Sequence, residues 1–482
     1  MRILHLGWGF KPWAWGGYID YVEDLMLEQA KVGNEVAYFF SGRSYPWQKK
    51  VYLNPWLRSK SVTMFEIVNS PIKLIPQKGI SCPEFEISEV QTEKLFQEVI
   101  EKFKPQLVHF HTILGFPSSL IEIAKNNFKL PIIYTPHDKS PMCPNSLLFD
   151  QNNQFCENIE RGKKCVECAH LKQVPNSYFS QTIFYDFRFL GSYFLRNMFY
   201  PWLSLAWGKL NNFHKQPSQG NEKDGCSGSD SNALSEAYLI RRTVNQRRFN
   251  LIDFYLCPSH RVQELYHQYF PSHANMQVLT VTSGHISYLK PATTFEMNPT
   301  IKLITLGGFA SVPKGADFMM QVVKKLKEQN LDSRIEIHIW GWVSGEIRKS
   351  LEKFNNIILH GIFQSKQLPR ILKGMHVGLI PSVCEDSFPL VGLEYLAAGI
   401  PIIGNNAGGI PEYTIDGKTG WLNKSNSVQG FVDILKIIIQ NPNLILERRN
   451  HILENRSKYI KTMREHADEV QFFYEDALSK DA

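Results

Sequence analysis

The sequence predicts an α/β protein made of two doubly wound domains, and three observations carry that expectation. Apolar strand-like runs alternate with amphipathic helix-like runs from the first residues, the connections between them are short, and after a strand-poor passage between Pro291 and Pro299 the rhythm starts again. In the first half the strands are "RILHLGW", "EVAYFF", "PQLVHFH", "PIIYTPHD" and "NLIDFYLCPS". They alternate with the helices "YIDYVEDLMLEQAKVGN", "SSLIEIAKNN" and "HRVQELYHQYF". Strands joined through helices imply parallel sheets covered on both faces. In the second half "IKLITLGGF", "RIEIHIWGW", "NIILHGIF" and "HVGLIPS" read as strands and "ADFMMQVVKKLKEQN" as a helix. The last amphipathic stretch, "MREHADEVQFFYEDAL", is a helix with no strand after it, free to pack back on the first domain.

Length and composition agree. A chain of 482 residues exceeds one hydrophobic core, and 43% hydrophobic with 21% charged residues describes a globular protein rather than a disordered one. The boundaries expected are 1–295 for the first domain, 296–457 for the second and 458–482 for the returning helix. Two segments break the pattern. Residues 212–234 are rich in Ser, Gly and charge and read as a mobile surface insertion. Just before them, "YFSQTIFYDFRFLGSYFLRNMFYPWLSLAW" is dense in aromatics around Arg188 and Arg196. It reads either as helices docked on the first domain or as an interfacial membrane or lipid-acceptor surface.

The net charge of +7 favours anionic partners, yet Lys and Arg are scattered rather than gathered into blocks. That gives nucleic acid little support and leaves a phosphorylated small molecule or an anionic membrane surface. "MRILHLGWGF" runs straight into a strand rather than a signal peptide, and no apolar run approaches the roughly 18 residues that span a bilayer. The expectation is a cytoplasmic protein, with peripheral contact at the inner face of a membrane left open. Eight cysteines in so long a chain do not make a disulfide scaffold.

"GWGFKP" begins like a dinucleotide fingerprint, but Pro12 stands where a third glycine is needed and "EVAYFF" ends without a ribose-binding acid, so a dehydrogenase is excluded twice. Three other stretches point to phosphate. Gly16 and Gly17 precede a helix and leave its first N–H groups open to an anion. In "LGGFASVPKGADF", Lys314 stands just ahead of another helix, where a compact ammonium suits a diphosphate. In "CEDSFPLVGLEYLAAGIPII" a helix begins near Pro389, so the N–H groups of Leu390 and Val391 face whatever sits above the strand ends. Glu394 shares their helical face. It would repel phosphate, so toward a nucleotide its chemistry is acceptance from neutral ribose hydroxyls. Asp386 reaches a different part of the same ligand, Glu385 is most simply a solvated neighbour, and Gly408 and Gly409 bring backbone to the same crevice.

Together these residues resemble the retaining GT-B glycosyltransferases of family 4. The likeness runs from Gly16 and Gly17 through "VHFH" and "TPHD" to Lys314, "PSVCEDSFPLVGLEYLAAGIPII", "GGIPEYTIDGKTGWL" and the final helix. The resemblance implies two Rossmann-like domains facing across a cleft and transfer of a sugar from a nucleotide-diphosphate sugar to a glycan or lipid-linked acceptor. It also implies retention of anomeric configuration and no cofactor required for catalysis. Residue by residue, it implies ribose binding by Glu394, sugar-hydroxyl contact by Asp386, diphosphate neutralisation by Lys314 and phosphate approach at Gly16 and Gly17. His137 stands for the family histidine near the donor sugar. His109 and His111 read as structural. The departures are an Asp386 where the family has Glu, and no Arg ahead of Lys314, so the second diphosphate cation is missing or comes from elsewhere. These departures keep a second reading open, a catalytically idle nucleotide-sugar-binding or partner subunit.

Cys143, Cys156, Cys165 and Cys168 fall in one loop-rich segment, 140–170, directly after His137 and Asp138. A C-x2-C half with two further cysteines has the spacing of a structural zinc site, against which stands the plain alternative of four unligated thiols.

Overall fold

The computed structural model describes residues 1–480 apart from 46, 49, 60, 76–77, 81, 158–161, 172–175, 187–230, 274, 293–294, 297–298 and 308–310. The strands of the first domain are, in chain order, β1 (Arg2–Trp8), β2 (Glu35–Ser41), β3 (Tyr52–Ser59), β4 (Val62–Val68), β5 (Leu107–Phe110), β6 (Ile132–Tyr134), β7 (Phe254–Cys257) and β8 (Met276–Val278). They form one eight-stranded sheet in the order β8-β7-β6-β5-β1-β2-β4-β3, parallel throughout except between β3 and β4. The sequence pattern does not show the β3–β4 hairpin. Asn54 and Pro55 argue against a strand, and Pro55 is tolerated because β3 is the edge, where a missing N–H costs no ladder bond.

The second domain holds β9 (Ile301–Leu306), β10 (Ile335–Trp340), β11 (Ile357–Gly361), β12 (Val377–Ile380), β13 (Ile402–Asn405) and β14 (Gly420–Asn423). These six strands are all parallel, in the order β11-β10-β9-β12-β13-β14. Central strands are apolar on both faces because helices cover both. Every residue of β12 and β13 is buried, as is β1 from Ile3 to Gly7.

Each sheet has one place where the strand order reverses, between β1 and β5 in the first and between β9 and β12 in the second. Ligands of open α/β sheets bind outside the carboxyl ends of the strands at such points. The loops leaving β1, β5 and β6 carry Gly16–Gly17, His111 and His137, and those leaving β9 and β12 carry Lys314 and Asp386. Both clusters are therefore placed by topology before any side chain is considered.

The final helix, Met463–Lys480, packs on the helix Gly17–Lys31 of the first domain. Tyr21 Oη lies 2.9 Å from His466 Nε2, Gln29 Nε2 donates to Tyr474 Oη at 3.2 Å, and His109 Nδ1 lies 2.5 Å from the same oxygen. The insertion expected at 212–234 falls mostly outside the described residues. Its end does not fit that expectation, because Ser231–Leu234 open a 19-residue helix, Ser231–Phe249. The aromatic stretch also lies largely outside, Arg188 and Arg196 included. Its described start docks on the first domain, with Gln181 Nε2 donating to Trp13 O at 2.5 Å and Asp186 accepting from Arg43 at 3.0 Å. Among the described residues no helix is long and apolar enough to cross a membrane.

Candidate active site

Lys314 ends a 3-10 turn, Val312–Lys314, and the helix Ala316–Glu328 starts beyond Gly315. Gly315 has φ +90°, and a Cβ there would lie 2.1 Å from the Pro381 carbonyl oxygen, so only glycine lets the Lys314 turn close against the end of β12. The ammonium consequently pairs with Asp386. Burial opposes the charge on both groups, but each holds the other ionised. Lys314 is held up at about 12, and Asp386, with Lys139 also near, stays below the ordinary carboxylate range. The Asp386 backbone is fixed from behind. Gly409 N donates to Asp386 O at 2.8 Å, and a Cβ on Gly408, at φ +52°, would lie 2.0 Å from that oxygen.

The helix that follows, Val391–Ala397, begins one residue after Leu390, and Glu394 N bonds back to Leu390 O at 3.1 Å. Gly17 faces this first turn from the other domain, since a Cβ on Gly17 would lie 3.2 Å from Leu390 Cδ1. Glu394 is 13% exposed and pairs with His285 at 2.7 Å. Gly17 and Leu390 thus meet at an interdomain seam, with Gly16 beside Gly17, Val391 and Glu394 following Leu390 on its helix, and Lys314 and Asp386 on loops at the ends of β9 and β12.

His137 joins them from the first domain, its carbonyl accepting from Ser387 Oγ at 2.9 Å. Its ring packs on Tyr21 and edge-on to Tyr18, with centroids 4.7 and 5.2 Å away. Burial, reinforced by His466 and Lys139, lowers its pKa to about 3, so the imidazole is neutral. Its Nε2 is buried with no hydrogen-bond partner among the described residues.

Two participants escaped the sequence pattern. Lys139, 2% exposed, crosses from the first domain, its ammonium bonding Ser387 Oγ at 2.8 Å and the Glu385 carbonyl. Its place two residues after His137 was the available signal. Glu385 is not a solvated neighbour. Its carboxylate takes two bonds from Arg261, each 3.0 Å, and accepts from Gly408 N at 2.9 Å, which makes it a bidentate clasp between the domains. Arg261 sits on the helix His260–Tyr269, where nothing in the sequence distinguishes it from a surface residue.

The loop carrying Lys139 is held from outside by the buried face of Ser231–Phe249. Arg241 pairs with Glu86 and donates to Ser140 O at 2.5 Å, Arg242 donates to Met142 O at 2.9 Å, and Asn245 donates to Pro141 O at 3.0 Å. The four cysteines lie farther along this loop. Cys143 and Cys165 are buried, Cys156 and Cys168 half-buried, and all four are free thiols. Cys156, Cys165 and Cys168 line a cavity of about 570 Å³ together with Asp150, Phe155 and Lys164, apart from the donor-side residues. Cys143 Sγ turns to Asn145 Oδ1 at 2.9 Å. Burial, then the neighbouring thiols, pushes Cys168 up to about 12.

Among the described residues, the group whose ligand atoms all come within 4.8 Å of one another is instead His5, His109 and His111. All three are fully buried, and burial lowers their pKa values. His5 and His109 use both ring nitrogens, and His111 uses Nε2, its buried Nδ1 having no hydrogen-bond partner among the described residues. His5 bonds His111 at 2.9 Å and Gln29 at 2.8 Å, while His109 bonds Thr135 at 2.8 Å as well as Tyr474. Alternation along β5 places His109 and His111 on one face, and on that face they act as core hydrogen-bonding groups.

Residues 300–441 match the family described as glycosyl transferases group 1. Relatives include the D-inositol 3-phosphate glycosyltransferase of Corynebacterium aurimucosum, 26% identical over 188 residues, which are 37% of this chain and 44% of that protein. The putative colanic acid biosynthesis glycosyltransferase WcaL of Escherichia coli is 26% identical over 158 residues, 31% of this chain and 37% of that one. The chain thus spans less than half the length of either relative. Along its whole length it resembles the sucrose-phosphate synthase of Thermosynechococcus elongatus, with a TM-score of 0.63, 13% identity and 99% of each chain covered. The chain has the GT-B fold. In GT-B terms β9 to β14 form the domain that carries the group 1 match, and β1 to β8 form its partner across the seam.

Proposed function

We propose that this GT-B protein is a retaining glycosyltransferase of the family 4 type, moving a hexosyl group from a nucleotide-diphosphate sugar to a glycan or lipid-linked acceptor. The observation that carries the reading is the Lys314–Asp386 pair with His137 and Lys139 bonded to Ser387 beside it, and Glu394 on the helix whose first turn Gly17 faces. Glu394 takes the ribose hydroxyls and Asp386 those of the transferred sugar. Lys314 takes the diphosphate and stabilises it as it leaves. Lys139 supplies the second cation that the residues ahead of Lys314 lack, which weakens the alternative of an idle binding subunit. His137, neutral and with Nε2 unpartnered, can offer a hydrogen bond to the sugar without adding charge. With retention, the departing phosphate is placed to take the acceptor proton on the face it leaves. This scheme draws on no cofactor.

The relatives' names support glycan assembly as the setting, and the positive charge and aromatic segment support an acceptor at the inner face of a membrane. The test is incubation of the full-length protein with uridine, guanosine and adenosine diphosphate sugars, following nucleotide release with and without glycan or lipid-linked acceptors. Release from one donor class, stimulated by acceptor and yielding a retained anomer, supports the reading. Release from none overturns it.

The cysteine loop is proposed to hold a structural zinc, because Cys156, Cys165 and Cys168 line one cavity and Cys143 lies in the same loop, the four thiols drawing together on the metal. Purified protein is expected to carry about one equivalent of zinc. Less than a tenth of an equivalent leaves four free thiols.

A further inference from the structure

The chain joining β8 to the second domain contains a short 3-10 turn, Gly284–Tyr288, preceded by Ser283. His285 Nε2 lies 2.7 Å from Glu394 Oε1, and its Nδ1 lies 2.9 Å from Ser283 Oγ. The Ser283 hydroxyl donates to Asp24 Oδ2 at 2.7 Å, and Gly284 N donates to the same oxygen at 2.7 Å. Counting protons fixes the state of the ring. Ser283 has one hydroxyl hydrogen and directs it at Asp24, so its oxygen can only accept from Nδ1. Glu394, a carboxylate, can only accept from Nε2. Both ring nitrogens therefore carry hydrogen, and His285 is an imidazolium between Glu394 and the Ser283–Asp24 pair. The groups facing it agree. Burial works against the charge, but Glu394 on one side and Asp20 and Asp24 on the other raise His285 above its ordinary 6.5.

We propose that His285 is a positioning residue of the donor site. As an imidazolium it fixes the Glu394 carboxylate for ribose and ties it, through Ser283 and Asp24, to the helix that Gly16 and Gly17 begin. Nucleotide binding then weakens as the ring loses its proton. This inference rests on the reading of Glu394 as the ribose acceptor. Its sign follows from the chemistry, because a cation held by an anion is present at low pH and lost as pH rises through its own raised pKa.

The experiment is calorimetric titration of UDP, GDP and ADP into the full-length protein and its His285→Ala and His285→Gln variants, from about pH 6 to about pH 9. Circular dichroism checks that each variant is folded. Near pH 6, His285→Ala is expected to bind nucleotide about tenfold more weakly, the loss of one charge-assisted hydrogen bond. His285→Gln keeps an N–H for Glu394 but no charge, so it regains most of that affinity. The wild-type advantage over the Gln variant should shrink as pH rises, and that difference cancels the titration of the nucleotide itself. In turnover the loss should appear in donor KM and not in kcat. If nucleotide binds but His285→Ala equals wild type, or wild type and His285→Gln run parallel at every pH, the inference fails and the donor site stands. If the wild type binds none of the three nucleotides, the donor-site reading fails and this inference fails with it.

Discussion

Lys314→Ala is expected to lower sugar transfer by about two to three orders of magnitude in kcat, the usual cost of removing one electrostatic contact to charge that develops in a transition state. On the proposed reading the diphosphate gains charge as the glycosidic bond breaks, and Lys314 is the cation beside it. The substitution should spare the fold, because the Lys314 side chain is 39% exposed and its backbone turn is set by Gly315. Steady-state transfer assays beside circular dichroism check both halves. Near-normal turnover would remove Lys314 from the site. The pH profile gives a second check. The Lys314 charge is present below its ordinary pKa and is lost only as pH climbs through about 12, while the Asp386 charge is lost only as pH falls through a value below the ordinary carboxylate range. The pair should therefore be flat between about pH 6 and about pH 9. Burial also lowers the pKa of Lys139, so the part of any slope in that range that belongs to His285 is the part missing from the His285→Gln variant.

Glu394→Ala is expected to cut kcat/KM by about a hundredfold or more. Two ribose hydroxyls bonded to a carboxylate contribute roughly 1.5 to 3 kcal/mol each, and each 1.4 kcal/mol is a factor of ten. The variant also strips His285 of its anion, so part of the loss arises in the free protein. Glu394→Gln separates the two effects, since it keeps an acceptor oxygen for one hydroxyl but removes the charge that holds the imidazolium. Its loss should be smaller than that of Glu394→Ala. Measured donor KM values decide the matter, and normal values in both variants would move ribose recognition elsewhere.

The fold was legible in the sequence because parallel strands buried on both faces leave continuous apolar runs, and "RILHLGW", "IKLITLGGF" and "HVGLIPS" are such runs. The edge hairpin was not, because an edge strand with Pro55 lacks that pattern. The candidate site residues were legible where chemistry is local: a lysine after a glycine-rich loop, and an acid on the first turn of a helix. Glu385 was misread because its partner is distant in sequence. Arg261 lies 124 positions away and meets it only when the domains face each other.

The sequence by itself determined the two α/β domains, the loops that carry Lys314, Asp386 and His137, and the helix start that carries Glu394. Periodicity and turn chemistry act over a few residues, and those features need no more. Only the tertiary structure decided that Lys139 crosses from the first domain, that Arg241 and Arg242 hold its loop, and that His285 stands between Glu394 and the Ser283–Asp24 pair. Those depend on contacts between distant segments, where the burial that makes an ion pair matter is created by folding itself.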